Sequence, residues 1–158
     1  DADGEKAAEL EGEFAEMNGW EAETEADQLL NGLGIPMDLH TAPMSALDGR
    51  QKVKVLLAQA LFGRPSIVLL DEPTNGLDIE ATVEMREVIL RLAKEKGVTF
   101  LVASHLAAEI EKMCDKVLVL YEGEMLSFDT KEEALRLNPS LEDYFLAKVR
   151  DKKGSVVL

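Results

Sequence analysis

Short apolar segments alternate with helical patterns between residues 66 and 121, and this alternation restricts the possible folds more than any other feature. The apolar segments are residues 67–70, 98–103 and 117–121. Residues 67–70 are an unbroken apolar run, and residues 98–103 are interrupted only by Thr99; short runs of this kind are typical of strands covered on both faces. Because strands that alternate with helices favour right-handed crossovers, we predict an α/β fold with a parallel sheet flanked by helices.

The residues before this alternation predict an N-terminal helical subdomain. Apolar residues recur at helical spacing around Leu10 and Phe14, and again around Leu29 and Leu33. A loop with two prolines follows, and Leu57 then belongs to the apolar face of a third helix. The sequence therefore predicts three parts, which are a helical subdomain at residues 1–63, an α/β core at 64–150 and a tail at 151–158.

Two local signals follow the third apolar segment. The dipeptide Glu122-Gly123 is a turn signal, weaker than Asn-Gly, that would join residues 117–121 to residues 125–128 as a hairpin. Patterns that resemble capping boxes predict the starts of two closing helices, at residues 130–133 and 140–143.

Acidic residues outnumber basic ones, and most of the excess lies in the first helices. The chain has 31 acidic and 17 basic residues, and residues 1–32 hold 11 of the acids with Lys6 as their only base. Non-specific nucleic-acid binding needs a basic surface, so the charge argues against direct binding to nucleic acid. We interpret the acidic segment as a solvated helix face rather than a binding tail.

Apolar runs and cysteine usage predict the cellular compartment. No apolar run approaches the roughly 20 residues that a membrane-spanning helix needs, so we expect no membrane insertion. The only cysteine, Cys114, cannot form an internal disulfide. Both observations favour a cytoplasmic protein.

Two adjacent carboxylates, Asp71 and Glu72, end the apolar run at residues 67–70. In an open α/β sheet, ligands bind outside the carboxyl ends of the strands. In a nucleotide hydrolase the first acid can hold magnesium, and the second can orient or deprotonate the attacking water. Because Asp-Glu also occurs at ordinary strand ends, the specific signal is the whole string from 67 to 78, which continues Pro-Thr-Asn-Gly-Leu-Asp.

Residues 67–78 resemble the Walker B strand and the following D-loop of the ATP-binding cassette (ABC) family. The resemblance implies a P-loop NTPase-like sheet, with ATP and Mg²⁺ as the bound groups. It also implies that Asp71 holds the metal, that Glu72 is the catalytic base, and that Asn75 and Asp78 contribute to the nucleotide site.

The resemblance extends to His105, which lies 33 residues after Glu72 at the end of the next predicted strand. Residues 102–106, Val-Ala-Ser-His-Leu, are similar to the switch-histidine motif, in which the histidine contacts the γ-phosphate. The structural alternative is a histidine that only starts a helix. Its place at the end of a strand parallel to residues 67–70 favours the functional interpretation.

Residues 47–51, Leu-Asp-Gly-Arg-Gln, lie where the family has its signature loop, Leu-Ser-Gly-Gly-Gln. The resemblance implies that Asp48, Gly49 and Gln51 bind a nucleotide held by an opposite subunit. At about 4 Å and an effective dielectric constant of about 20, a carboxylate facing a phosphate meets a repulsion on the order of 4 kcal/mol per unit charge. Arg50 would offset part of this repulsion. The alternative is that Asp48 only caps the helix that starts near Gly49.

No glycine is followed by lysine, so the chain has no Gly-x-x-x-x-Gly-Lys-Ser/Thr phosphate loop. The resemblance therefore covers residues 5–150 but only the carboxy-terminal portion of a nucleotide-binding domain, and we expect negligible ATP hydrolysis by the chain alone. Residues 9–90 resemble the ABC-F proteins, soluble ATPases that act on ribosomes. Residues 97–148 are more similar to the ATPase subunits of membrane exporters, and the mixture suggests a chimeric or engineered chain.

Two functions follow from the sequence. The first is a fragment of an ABC-type ATPase, whose partners would be a second ATPase subunit and, through the parent family, a ribosome or a membrane permease. The second is a non-enzymatic α/β scaffold, engineered or relic, that self-associates because the missing strands leave unpaired edges or apolar faces.

Overall fold

The computed structural model describes residues 2–154, which fold as two compact units. The first unit is the chain up to Val68 together with Thr74–Phe100, and the second is Leu69–Pro73 together with the chain from Leu101 onward. The expected boundary between residues 63 and 64 falls inside the first unit, and the three-part division stays a prediction.

The first unit is mainly helical in its described residues. Its helices are α1 (Ala2–Glu16), α2 (Ala22–Gly32), α3 (Gly49–Leu61) and α4 (Ile79–Lys96). The side chain of Asp78 caps α4 by accepting a hydrogen bond from the Ala81 N–H at 2.8 Å, and Gly97, with φ 66°, ends this helix in the left-handed conformation. The core of this unit is aliphatic and includes Leu33, Ile35, Leu47, Leu57, Leu61, Met85, Val88 and Ile89. In α1, by contrast, all residues from 4 to 16 are exposed.

The first two strands form a parallel pair. They are β1 (Ile67–Asp71) and β2 (Thr99–Ala103). The Thr99 N–H donates to the Ser66 carbonyl at 2.9 Å, and the Glu72 N–H donates to the Ala103 carbonyl at 2.9 Å, so both strands run in the same direction. Parallel pairing at this place confirms the predicted α/β fold class.

The expectation that these strands are covered on both faces is wrong for the described chain. Val68 is buried, but Ile67 and Leu69 are 65% and 67% exposed, and Leu101 of β2 is also exposed. Exposed and buried residues alternate along β1 because only one face of the strand is covered. An unbroken apolar run shows that its side chains favour burial. It does not show whether the rest of the chain packs against one face of the strand or against both.

The second unit contains a β-hairpin and three helices in its described residues. They are α5 (Ala107–Met113), β3 (Lys116–Tyr121), β4 (Glu124–Thr130), α6 (Lys131–Leu135) and α7 (Leu141–Gly154). Glu122 and Gly123 have φ angles of 51° and 78°, as a type I′ hairpin turn requires, which confirms the predicted turn. Since β3 pairs antiparallel with β4 in a separate sheet, the parallel pairing expected for residues 117–121 is absent from the described chain.

The closing helices begin as the sequence predicts. The Thr130 side chain accepts a hydrogen bond from the Glu133 N–H, and the Ser140 hydroxyl accepts one from the Asp143 N–H. The core of this unit consists of Val119, Ala134, Leu141 and Tyr144. Helix α7 continues to Gly154 and so includes the first residues of the expected tail, whose remaining residues, 155–158, lie outside the described residues. Among residues 2–154, no helix has the length and apolar character that crossing a membrane requires.

Candidate functional site

The structure brings Glu72 and His105 into direct contact in the second unit. Each follows one of the parallel strands, and these strands end side by side because the Glu72 N–H pairs with the Ala103 carbonyl. The His105 ring Nδ1 lies 2.6 Å from Glu72 Oε1, and the His105 backbone N–H donates to the same oxygen at 2.9 Å. The Ser104 hydroxyl donates to Glu72 Oε2 at 3.0 Å. An ionised carboxylate can only accept hydrogen bonds, so Nδ1 carries the proton in this pair.

Glu72 has a backbone conformation that is rare for its residue type. Its φ of 47° lies in the left-handed region, which a residue with a side chain occupies at a cost of about 1–3 kcal/mol. The cost is balanced by the hydrogen bonds that hold the residue, three on its carboxylate and one from its backbone N–H to Ala103. Residues in such conformations concentrate at functional sites, which makes Glu72 a candidate for one.

The contacts of Glu72 also set its protonation. The hydrogen bond from the His105 ring is the main cause that lowers the pKa of the Glu72 carboxyl; the His105 backbone N–H and the Ser104 hydroxyl act in the same direction, against partial desolvation. Glu72 is therefore ionised at neutral pH. The His105 side chain is 67% exposed, so a ligand can reach this residue.

Asp71 is the last residue of β1 and is exposed. Residues 2–154 hold no group of three or more acidic, histidine or cysteine side chains that is arranged for a metal ion. Mg²⁺ usually keeps several waters and binds one or two carboxylates together with substrate phosphates. A single exposed carboxylate, such as that of Asp71, fits this pattern.

In the first unit, Asp48 caps α3. Its Oδ1 accepts a hydrogen bond from the Gln51 N–H at 2.8 Å, while the Asp48 N–H donates to Gln51 Oε1 at 3.0 Å. These two reciprocal bonds form a capping box. Asp48 therefore caps the helix, as the structural alternative to nucleotide binding predicts. The Gln51 side chain is turned back towards the start of the helix. Gly49 is exposed at the first position of α3.

Arg50 makes a contact that the sequence reasoning missed. Its Nη2 donates to Asp78 Oδ2 at 2.8 Å and to Glu80 Oε2 at 3.0 Å, so it joins the start of α3 to the start of α4. The pKa of Asp78 is lowered first by the Ala81 N–H and then by Arg50, and the hydrogen bond to Asp78 raises the pKa of Arg50. Arg50 thus pairs with the D-loop-like segment and not with the neighbouring Asp48. No sequence signal links residues 28 positions apart in this way.

Asn75 lies in the same segment as Asp78 and is exposed. It stands between Thr74, which is buried, and Gly76, whose φ of 74° marks the turn before α4. Two groups of contacts therefore include predicted site residues in the described chain. Glu72 and His105 form one. In the other, Asp48 contacts Gln51, and Arg50 joins the start of α3 to Asp78.

Comparison with known proteins identifies the relatives of this chain. The sequence model of the family described as ABC transporter matches residues 4–75. The chain is 55% identical over 117 residues to the uncharacterized ABC transporter ATP-binding protein YkpA of Bacillus subtilis. This alignment covers 74% of the chain and 21% of YkpA. It is 31% identical over 148 residues to YhcH of the same organism, another uncharacterized ABC transporter ATP-binding protein, covering 92% of this chain and 47% of YhcH.

A solved structure gives the same result for the fold. The chain is similar to cbiO1 of Clostridium perfringens, part of the ABC transporter complex cbiONQ, with a TM-score of 0.64 and 31% identity. The similarity covers 72% of this chain and 45% of cbiO1. The chain spans about a fifth to a half of the length of these relatives.

Proposed function

The chain belongs to the ABC transporter family of ATP-binding proteins, and from this premise we propose that it contributes a carboxylate–histidine pair to an ATP-hydrolysing site. The observation that carries the proposal is the contact between Glu72 and His105 at 2.6 Å. Two residues that are 33 positions apart meet at the ends of neighbouring parallel strands, where α/β sheets bind their ligands.

The hydrogen bonds of Glu72 leave one lone-pair site of its carboxylate that can accept a hydrogen bond from a water. A carboxylate has about four lone-pair sites, and His105 occupies two of them while Ser104 occupies a third. The fourth, on Oε2, can accept a proton of the attacking water. As the water oxygen bonds to the γ-phosphorus and the bond to the ADP oxygen breaks, Glu72 orients this water and takes its proton.

His105 can act on the substrate while it holds Glu72. Nδ1 binds the carboxylate, so Nε2 is the nitrogen that would donate to a γ-phosphate oxygen. Donation from both nitrogens requires the imidazolium form. Asp71 would hold Mg²⁺ beside the phosphates, and the ion, when bound, would neutralise part of their charge.

We also propose that hydrolysis needs a partner sequence. The absence of a phosphate loop supports negligible hydrolysis by the chain alone, and Asp48, Gly49 and Gln51 would face the nucleotide of a second ATPase subunit. The similarity of residues 9–90 to ABC-F proteins favours a ribosome as partner, and the similarity of residues 97–148 to exporter ATPases favours a membrane permease. With either partner, the chain would act in the cytoplasm. A chimeric or engineered origin would account for the two similarities.

A chimeric ATPase tests the proposal. The amino-terminal part of an ATP-binding domain of YkpA, including its phosphate loop, is fused ahead of residue 4, and phosphate release is measured with ATP and Mg²⁺. We expect turnover by the fusion, none by the chain alone, and loss of turnover in Glu72→Gln and His105→Ala. The matched control is Glu122→Gln, which makes the same change at another glutamate with positive φ. Turnover that survives Glu72→Gln would exclude Glu72 as the base.

A second function is favoured by the exposed surface of the β-hairpin. Four large apolar side chains share one face of β3 and β4, with Leu118 opposite Phe128 and Leu120 opposite Met125. They are 40–63% exposed. We call them the hairpin face, and we propose that two copies of the chain associate through it, as the scaffold alternative requires.

A further inference from the structure

Four apolar side chains around the end of α1 form an open groove of about 460 Å³. Leu10 and Phe14 lie on one side of α1, Met17 follows the helix, and Trp20 lies in the next turn, while Glu11 and Glu13 complete the lining. All four apolar residues are exposed, from 41% for Phe14 to 74% for Met17. We call these four residues the α1 face.

The turn after α1 builds the groove. The rings of Phe14 and Trp20 meet edge to face, with 4.9 Å between their centroids and 89° between their planes. A Cβ atom at Gly19 would lie 2.4 Å from the Phe14 ring, so glycine is needed for this approach. Asn18 takes the left-handed conformation, with φ 58°, that turns the chain. Trp20 is therefore held beside Phe14 by local geometry.

Charge decides what can bind there. Glu9 and Glu13 flank the apolar stripe on one side and Glu11 on the other, and no basic residue lies in the last turn of α1. The partial negative charge at the carboxyl end of a helix adds to these carboxylates. Nucleic acid, an anionic membrane and a second copy of α1 all bring further negative charge, so each is repelled. A cationic surface with an apolar anchor complements both features of the groove.

We propose that the α1 face docks an amphipathic helix rich in lysine and arginine from a partner protein. An apolar side chain of that helix lies against Leu10, Phe14 and Trp20, and its basic residues lie opposite Glu11 and Glu13. This is the helix-in-groove mode of recognition, with specificity supplied by charge. The surface is independent of the proposed ATPase chemistry, and it gives the acidic N-terminal segment a binding role beyond that of a solvated face.

The test uses the full chain and a synthetic 15-residue amphipathic peptide of leucine and lysine. Trp20 is the only tryptophan, so its emission reports the groove directly. We expect a saturable blue shift, and we expect affinity to fall as salt rises because the charges are exposed. A peptide with glutamate in place of lysine, an oligonucleotide and phosphatidylglycerol vesicles should leave the emission unchanged. Absence of a shift with the cationic peptide, or an equal shift with the glutamate peptide, overturns the proposal.

Two matched double variants separate local from overall charge. Glu11→Lys with Glu13→Lys reverses the charges of the groove, and we expect it to weaken binding about tenfold. Glu5→Lys with Glu95→Lys makes the same change in net charge at exposed residues that do not line the groove, and it should weaken binding less than about threefold. Anisotropy of a labelled peptide measures both. Equal losses in the two variants would show general attraction to an acidic protein and would overturn the proposal.

Discussion

Replacing Leu120 by glutamate on the hairpin face should abolish self-association of the chain. Leu120 is 63% exposed. Complete burial of a leucine side chain is worth about 1.5–3 kcal/mol, so roughly 1–2 kcal/mol remains to be gained when a partner covers it. In a two-fold dimer each residue contributes twice, so the substitution removes about 2–4 kcal/mol before the cost of burying two carboxylates is counted.

The same estimate limits the affinity of the dimer. Four half-exposed apolar side chains from each copy contribute about 7–13 kcal/mol in total, while association costs at least about 4 kcal/mol. We therefore expect a dissociation constant in the micromolar to millimolar range. Because each copy carries a net charge of −14, the copies repel each other, and salt should tighten the dimer by screening. An interface built from ion pairs would respond to salt in the opposite way.

Sedimentation velocity measures this association. We expect the weight-average mass to rise from monomer towards dimer between about 5 µM and about 500 µM, and the Leu120→Glu variant to stay monomeric because its dissociation constant rises at least about thirtyfold. Leu137→Glu is the matched control, since Leu137 is 83% exposed in the same unit but lies outside the hairpin. A monomeric parent chain at the highest concentration, or equal losses in the two variants, would refute the reasoning.

Two further predictions concern the first unit. Asp48→Ala should lower the free energy of unfolding by about 1 kcal/mol, because the Gln51 N–H loses its acceptor. Asp48→Ser should leave the free energy of unfolding unchanged, since serine caps a helix as well as aspartate does. Urea titration compares the two variants. His40 lies between two acceptors, Asp27 at 2.8 Å and the Ile35 carbonyl at 3.1 Å, and the hydrogen bond to Asp27 is the main cause that raises its pKa. The stability that His40 contributes is therefore complete below its ordinary pKa of 6.5 and is lost as pH rises through the raised value. The urea midpoint of the parent chain should fall over that range, and His40→Gln should remove the step.

Features that depend on neighbouring residues were predictable from the sequence. The turn at Glu122 and Gly123, the capping box at Thr130 and the hydrogen bond from Asp143 to Ser140 each depend on groups within four positions of one another. The family resemblance and the parallel strands that precede Glu72 and His105 implied that both act on one nucleotide, but their direct contact was not predicted. The left-handed backbone of Glu72 had no signal, because glutamate is not a residue that favours positive φ.

Features that depend on packing between distant segments were not predictable. The sequence shows that residues 67–70 are apolar. Whether the side chains of Ile67 and Leu69 are buried depends on which helices or strands pack against that face of β1, and here both side chains are exposed. The pairing of Arg50 with Asp78 depends on how the starts of α3 and α4 lie within the first unit. In the sequence, Arg50 and Asp78 are ordinary charged residues near the starts of two helices, so nothing predicts that they pair.

The contacts made by Asp48, Arg50 and Gln51 at the start of α3 disfavour the binding of a phosphate at the signature-like loop, residues 47–51. The Gln51 N–H, one of the donors that an anion at this helix start would use, is already bound to the Asp48 carboxylate. Arg50, which could have offset that charge, is held by Asp78 and Glu80 instead. Repulsion on the order of 4 kcal/mol per unit charge outweighs the helix dipole, which contributes about 0.3–1 kcal/mol. Asp48→Ser keeps the cap and removes the charge, so in the YkpA fusion it should strengthen ATP-dependent dimerisation, which light scattering would detect. If the parent and Asp48→Ser fusions dimerise equally with ATP, Asp48 does not face the nucleotide and acts only as the cap of α3.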